Sequence, residues 1–250
     1  MAGHSKFKNI MHRKGAQDAR RGKVFTKIQR EITVAAKMGG GDINANPRLR
    51  AAVIAARSAN MPNDRVKRAI ETATGAGAAD NYVEIRYEGY GAGGVAVIVD
   101  ALTDNRNRTA GEVRMAFSKM GGNLGETNSV SFMFDRVGEI VYPAGKASAE
   151  AMFEAAVEAG AEDCQSDGET HTIYTGPNEF AGARDALEKT FGEAQRSSLI
   201  WKPNVSAPVD FDTAQSVMKL VDLLEDSDDV QTVTTNMEAN DETIERLMAG

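Results

Sequence analysis

Side chains able to do covalent or metal chemistry are few in this sequence. His4, His12 and His171 are its three histidines and Cys164 its one cysteine. The histidines do not stand at the His-x-x-x-His spacing of a metal motif, and none has a cysteine at ligand spacing. A single cysteine excludes an intramolecular disulfide and a multi-cysteine zinc or iron–sulfur site. The histidines read as surface residues or phosphate contacts. Cys164, at an alternating position of a predicted strand, reads as a buried, inert thiol. The acids Glu225, Asp226, Asp228 and Asp229 read as capping and solvating a helix end. With no triad, dyad or nucleophile elbow, the expected protein is not an enzyme, carries no cofactor or metal, and takes no small-molecule substrate.

Two glycine runs could cradle phosphate. In "GYGAGG" (89–94) the glycines lie between two predicted strands, and no Gly-Lys-Ser/Thr follows. Phosphate binding needs such a loop to lead from a strand into a helix N-terminus, so the run is read as a hairpin turn. "GGNLGET" (121–127) follows a predicted helix and is read as its stop and a loop.

Basic residues remain. From Gly3 to Lys27 there are eight Lys or Arg and one acid, Asp18, in a chain of net charge -7. Sixteen Lys/Arg against four acids give residues 1–70 a net +12, and the rest of the chain carries −19. Such segregation points to a polyanion partner for the basic part. Lys and Arg on phosphates release condensed counterions, which gives strong, salt-dependent, sequence-blind affinity. Gly3, Ser5, Asn9, Gly15 and Gly22 between the bases allow close backbone approach. A second basic feature, "DNRNRT" (104–109), lies between a strand and a helix. Arg106 and Arg108 there could hold phosphate bidentately beside a helix N-terminus; the alternative is a solvated loop with Asn105 or Asn107 capping the helix.

The elements that must position these residues follow from periodicity. "KVFTKIQREITVAAKMGGG" places Val24, Phe25, Ile28, Ile32, Ala35 and Ala36 on one helical face, with Gly39 as the stop. "NPRLRAAVIAARSA" has Asn46 as N-cap, Pro47 at the first helical position and Leu49, Val53 and Ala56 buried. "MPNDRVKRAIETATG" repeats the device with Pro62, buried Val66 and Ile70, and Gly75 past the end. Residues 1–75 are thus a basic helical domain, and 74–80 a linker.

Beyond residue 80 the pattern turns to strands. "YVEIRYEGY", "GGVAVIVDAL", a helix with Val113, Phe117 and Met120 inward, and "SVSFMF" give β-β-α-β over about 82–134. Next, "GEIVYP", a helix with Met152, Phe153, Ala156 and Val157 inward, strands around the Asp167-Gly168 turn, another helix and "RSSLIWKP" give β-α-β-β-α-β. That is the order of a ferredoxin-like, split βαβ unit over 137–202. The tail adds a helix with Val217, Leu220, Val221 and Leu224 inward, and the strand "DVQTVTTNM". The fold class is therefore multi-domain α and α+β. A helical domain (1–75) precedes two ferredoxin-like units, one discontinuous (81–135 plus 204–240) and one (137–202) inserted into it.

Hydrophobic content of 42% supports real cores. No run of about 18 apolar residues calls for a membrane span. The N-terminus lacks the apolar stretch of a secretory signal. The expected location is cytoplasmic, which the single cysteine fits.

"GHSKF", "HRKGAQDARRGKVFTKI", "AAKMGGGD", "NPRLR", "YEGYG", "DNRNRT" and "GGNLG", in that order over nearly the whole chain, resemble the YebC/PmpR family. Phe7 stands where that family usually has Trp, and Ala92 where it usually has Pro. The resemblance implies a helical domain followed by two α+β domains. It implies a non-enzymatic regulator of gene expression, a DNA-binding transcriptional regulator on promoter DNA. The alternative within the family is a ribosome-associated translation factor that contacts rRNA and tRNA and relieves stalling. The candidate nucleic-acid contacts are His4, Lys6, Lys8, His12, Arg13, Lys14, Arg20, Arg21, Lys23, Lys27, Arg48, Arg50, Arg106 and Arg108.

Overall fold

The computed structural model describes residues 17–75 and 82–249, leaving out the side chains of 17–21, 241, 248 and 249. Its described residues fall into two compact units, 17–30 with 82–135 and 203–249, and 31–75 with 136–202. A helical N-terminal region is followed by two antiparallel four-stranded sheets with helices.

Helix α1 spans Gln17–Gly39. The sequence placed its stop at Gly39, but Gly39 is still helical and the left-handed residue is Gly40 at φ 83. Gly39 is needed for space instead. A Cβ there would meet the Asn46 Nδ2 at 2.6 Å, and that amide donates to the carbonyls of Ala35 and Gly40. The same Asn46 side chain accepts from Leu49 N and caps α2 (Pro47–Ser58). Residues 59–62 then turn the chain into α3 (Asn63–Thr74). Asn60 takes the left-handed conformation at φ 56, and Met61 is buried inside the turn. On α3 the buried row is Val66, Ala69 and Ala73, and Ile70 is only half-buried.

In the first unit β1 (Val83–Tyr90), β2 (Ala96–Thr103), β3 (Asn123–Leu124) and β9 (Val230–Thr235) form a sheet in the order β3-β1-β2-β9. Helices α4 (Arg106–Lys119) and α7 (Phe211–Glu225) pack Val113, Phe117, Leu220 and Leu224 onto Val97 and Val99. Burying each such side chain contributes about 1.5–3 kcal/mol. The third strand is not "SVSFMF" as its alternation predicted, but the two residues 123–124 of the glycine loop. Glycine at 89 permits this pairing, because a Cβ there would lie 2.5 Å from Asn123 O. Ser131–Met133 curls instead into a 3-10 turn. Buried Glu88 accepts from Val130 N and Ser131 N at 3.0 and 2.9 Å and holds that turn. The unit closes with β8 (Ala207–Pro208), parallel to β10 (Met237–Glu238), and with α8 (Asp241–Ala249), whose Arg246 lies 4.1 Å from the Phe211 ring centroid.

In the second unit β4 (Phe134–Pro143), α5 (Ala149–Glu158), β5 (Asp163–Ser166), β6 (Thr170–Thr175), α6 (Phe180–Phe191) and β7 (Arg196–Pro203) follow the split βαβ order. The sheet order is β5-β6-β4-β7. Met152 and Ala156 carry α5 into the core with Ile140, Tyr142 and Ile173. Phe153 and Val157, predicted inward, are exposed, because this ten-residue helix buries a narrower stripe than its apolar content suggested. His171 is not a surface residue. It is 3% exposed, with Nδ1 2.7 Å from Ser166 Oγ and Nε2 near the Ala144 and Ala147 carbonyls. Cys164 is half-buried at the edge of this core, where burial pushes its thiol pKa up.

Candidate nucleic-acid interface

In the first unit three bases of α1 recur at i, i+4 and i+7, one helical face. Lys23 Nζ lies 2.6 Å from Asp226 Oδ1. Lys27 Nζ donates to the Glu225 carbonyl at 2.8 Å. Arg30 donates to Asp229 Oδ1, to the Asp228 carbonyl at 2.8 Å and to the Leu102 carbonyl at 3.3 Å. The acids that the sequence assigned to a solvated helix end therefore receive this face.

Asp229 is the centre of the arrangement. Leu102 N donates to its carbonyl, and the register shift between Asp100 and Ala101 in the β2–β9 pairing sets the start of β9 against the end of β2. Its Oδ2 accepts from Arg108 Nη2 at 2.7 Å and lies 3.1 and 2.7 Å from the hydroxyls of Thr103 and Thr109. Asp229 is 3% exposed. Burial would raise its pKa, but the bonds from Arg108, Thr109, Arg30 and Thr103 outweigh that and lower it to about 2. Asn105 caps α4 by accepting from Arg108 N, and Arg108 also pairs with Asp104 at 2.7 Å. The helix N-terminus that could have taken a phosphate thus already has a carboxylate beside it, with the Arg108 guanidinium bound to it. The pKa of Arg108 is raised by the bonds to Asp229 and Asp104. Burial lowers that of Lys27 despite Glu225 and Asp228.

In the second unit Arg48 pairs with Glu31 at 2.6 Å. Arg50 reaches Asp185 at 3.1 Å and the carbonyls of Ile43 and Asn44. Of the sequence candidates, the structure gathers Lys23, Lys27 and Arg108 around one acidic segment, and leaves Arg106 exposed at the start of α4. His4, Lys6, Lys8, His12, Arg13 and Lys14 lie outside the described residues, as do the side chains of Arg20 and Arg21. Two exposed basic rows lie beyond these candidates. Arg65, Lys67 and Arg68 on α3 belong to the net +12 part that the sequence marks as basic, whereas Arg114 and Lys119 on α4 were missed. Helical spacing on the side opposite the buried row was the signal that could have found the second.

Residues 5–76 match the TACO1/YebC protein N-terminal domain, and residues 82–237 match the TACO1/YebC second and third domain. The chain belongs to the TACO1/YebC family. Its structure is similar to the crystal structure of a conserved hypothetical protein from Aquifex aeolicus, at 46% identity and TM-score 0.82. That likeness covers 90% of this chain and 93% of the other. Membership in the TACO1/YebC family is consistent with a regulator-like, nucleic-acid-binding role, and the family is generally non-enzymatic. Among the described residues no helix is long and apolar enough to cross a membrane.

Proposed function

We propose that this protein is a DNA-binding regulator of transcription that acts without catalysis. The observation that carries the reading is the pair α2 and α3, joined by the short turn 59–62. A turn of that length is what a helix-turn-helix uses, with its second helix laid in the major groove. Here the second helix exposes Asn63, Arg65, Lys67 and Arg68 in its first two turns, the residue types that bond base edges and phosphates. The basic sequence from Lys6 to Arg21, called the arm below, supplies further positive charge for the backbone.

A second reading, a translation factor on ribosomal and transfer RNA, is favoured by the arm itself. Its glycine-punctuated bases grip backbone without reading sequence, which suits structured RNA. Sedimentation of lysate at low and high salt separates the two. Retarded promoter DNA that resists competitor DNA, with no protein in the 70S fractions, supports transcription. Salt-sensitive co-migration with 70S particles and no competitor-resistant DNA complex overturns it in favour of translation.

A further inference from the structure

After residue 70 the chain has thirteen Lys and Arg in a segment of net −19. Nine of them are held by a carboxylate, a carbonyl, an amide or a ring of the chain. Arg106, Arg114, Lys119 and Lys189 are exposed and, among the described residues, their side chains make no hydrogen bond or ion pair. Three of these four lie on one helix, α4.

The sequence of α4, "RNRTAGEVRMAFSK", carries four bases and one acid. Its buried side is Thr109, Val113, Ala116 and Phe117. Its exposed side presents Asn107, Gly111, Arg114, Met115, Ser118 and Lys119. Glu112, the one acid, faces the Ser227 hydroxyl at 2.9 Å and so is turned away from that surface. Gly111 sits mid-helix, where glycine weakens a helix, yet a Cβ there would meet nothing within 4 Å. Core packing therefore does not require it. With Asn107 and Ser118 it forms a low shelf between Arg114 and Lys119, on which another backbone can come close.

We infer that the exposed face of α4 is a second phosphate-binding surface, seated on the backbone of the DNA duplex that the arm holds. Charge carries this: three bases of one helix left without a carboxylate, on an acidic body, complement a polyanion. From Arg106 to Lys119 the helix rises roughly 20 Å, about six phosphates of one B-form strand. Position beside α1 carries the rest. A cavity of about 600 Å³ within the same unit is lined by Lys23 and Arg30 of α1, by Arg108, Glu112 and Met115 of α4 and by Asp104, Asp226, Asp228 and Asp229. Met115 lies on the exposed side of α4, so that side adjoins α1, and Asp104, Asp226 and Asp229 are already paired with Arg108, Lys23 and Arg30.

This inference rests on the nucleic-acid reading, and the test separates the two. Full-length wild type, R106Q/R114Q/K119Q and R13A/K14A/R20A/R21A are titrated with a 30-base-pair duplex DNA across a salt series. Each lost phosphate contact should lower the slope of log K against log salt by about 0.9, so the α4 triple variant should lose two to three units. Unchanged circular dichroism and thermal midpoint confirm its fold, and R114E/K119E should weaken binding at least tenfold. A triple variant with the wild-type slope, beside an arm variant that loses slope, overturns the α4 surface and leaves the arm reading intact. Absence of salt-dependent binding by wild type overturns both. Loss of slope on a structured rRNA fragment but not on the duplex overturns DNA as the occupant.

Discussion

Arg108 and Asp229 lie 121 residues apart, and Arg108 donates to the Asp229 Oδ2 from both Nε and Nη2, at 3.3 and 2.7 Å. Arg30 donates to the other oxygen. One carboxylate therefore ties α1, the start of α4 and the start of β9 together. The same bonds occupy two bases that could otherwise have served as phosphate ligands.

Asp229→Asn should be strongly destabilising. It leaves Arg30, whose side chain is 17% exposed, without its anion, and stranding one partner of a buried pair costs about 3–5 kcal/mol. Arg108 is more exposed, which favours the low end of that range. The pH dependence has a definite sign. The native pKa of about 2 lies below the usual carboxylate value, so the stabilisation is full above pH ~4 and is lost as pH falls toward 2. The depression is worth about 2 kcal/mol. Urea unfolding between pH 2 and 5 should show this slope in wild type and a flatter one in the variant. Equal slopes would mean that Asp229 is not the group responsible.

Glu88→Gln tests how the loop after β3 is held. Burial alone would raise the Glu88 carboxyl, but the N–H groups of Val130, Asn128 and Ser131 and the Arg86 guanidinium outweigh it and lower the pKa. Bonds to an ionised acceptor are worth about 1.5–3 kcal/mol against about 1 for neutral ones, so the amide should cost about 1–2 kcal/mol. Hydrogen exchange at Val130 and Ser131 should quicken more than at the centre of β2. Uniform quickening would show that Glu88 acts on global stability rather than on this turn.

Much of the fold was legible in the sequence because helices announce themselves locally. Asn46 and Pro47 marked the start of α2, and the Val217, Leu220, Val221 and Leu224 row of α7 is buried as its spacing required. What misled was information carried by distant partners. The alternation in "SVSFMF" reads as a strand, yet Glu88, about forty residues away in sequence, satisfies the backbone N–H groups of that segment. Asp229 reads as one more solvated acid until α1 and α4 are brought against it. Lys23, Lys27, Arg48, Arg50 and Arg108 were legible as bases but not as bases already paired, since each partner is an acid or carbonyl supplied by the fold.

Two glycines should respond oppositely to alanine. At Gly89 a Cβ would meet Asn123 O at 2.5 Å and Phe117 Cε1 at 2.8 Å. Backbone cannot yield there without parting β3 from β1, so Gly89→Ala should cost about 1–3 kcal/mol. At Gly111 the space is open and φ is ordinary for a helix. Gly111→Ala should therefore stabilise by about 0.5–1 kcal/mol. Thermal melts of the two single variants decide it. A lower midpoint for Gly111→Ala would contradict the open shelf on α4.

Arg65 and Arg68 on α3 separate base reading from backbone gripping. A side chain bidentate to a base edge gives about 1–3 kcal/mol of discrimination against the wrong base. Arg65→Ala and Arg68→Ala should therefore narrow the gap between promoter and random duplex by about five- to a hundredfold, with a small change in salt slope. Lys6→Ala or Lys8→Ala on the arm should instead weaken both duplexes equally and lower the slope. Both arginines are exposed on a helix whose buried row is Val66, Ala69 and Ala73, so circular dichroism should show both variants folded. Should Arg65→Ala and Arg68→Ala weaken both duplexes in parallel, α3 is a phosphate contact rather than the reading helix, and the preference for DNA over structured RNA loses its support.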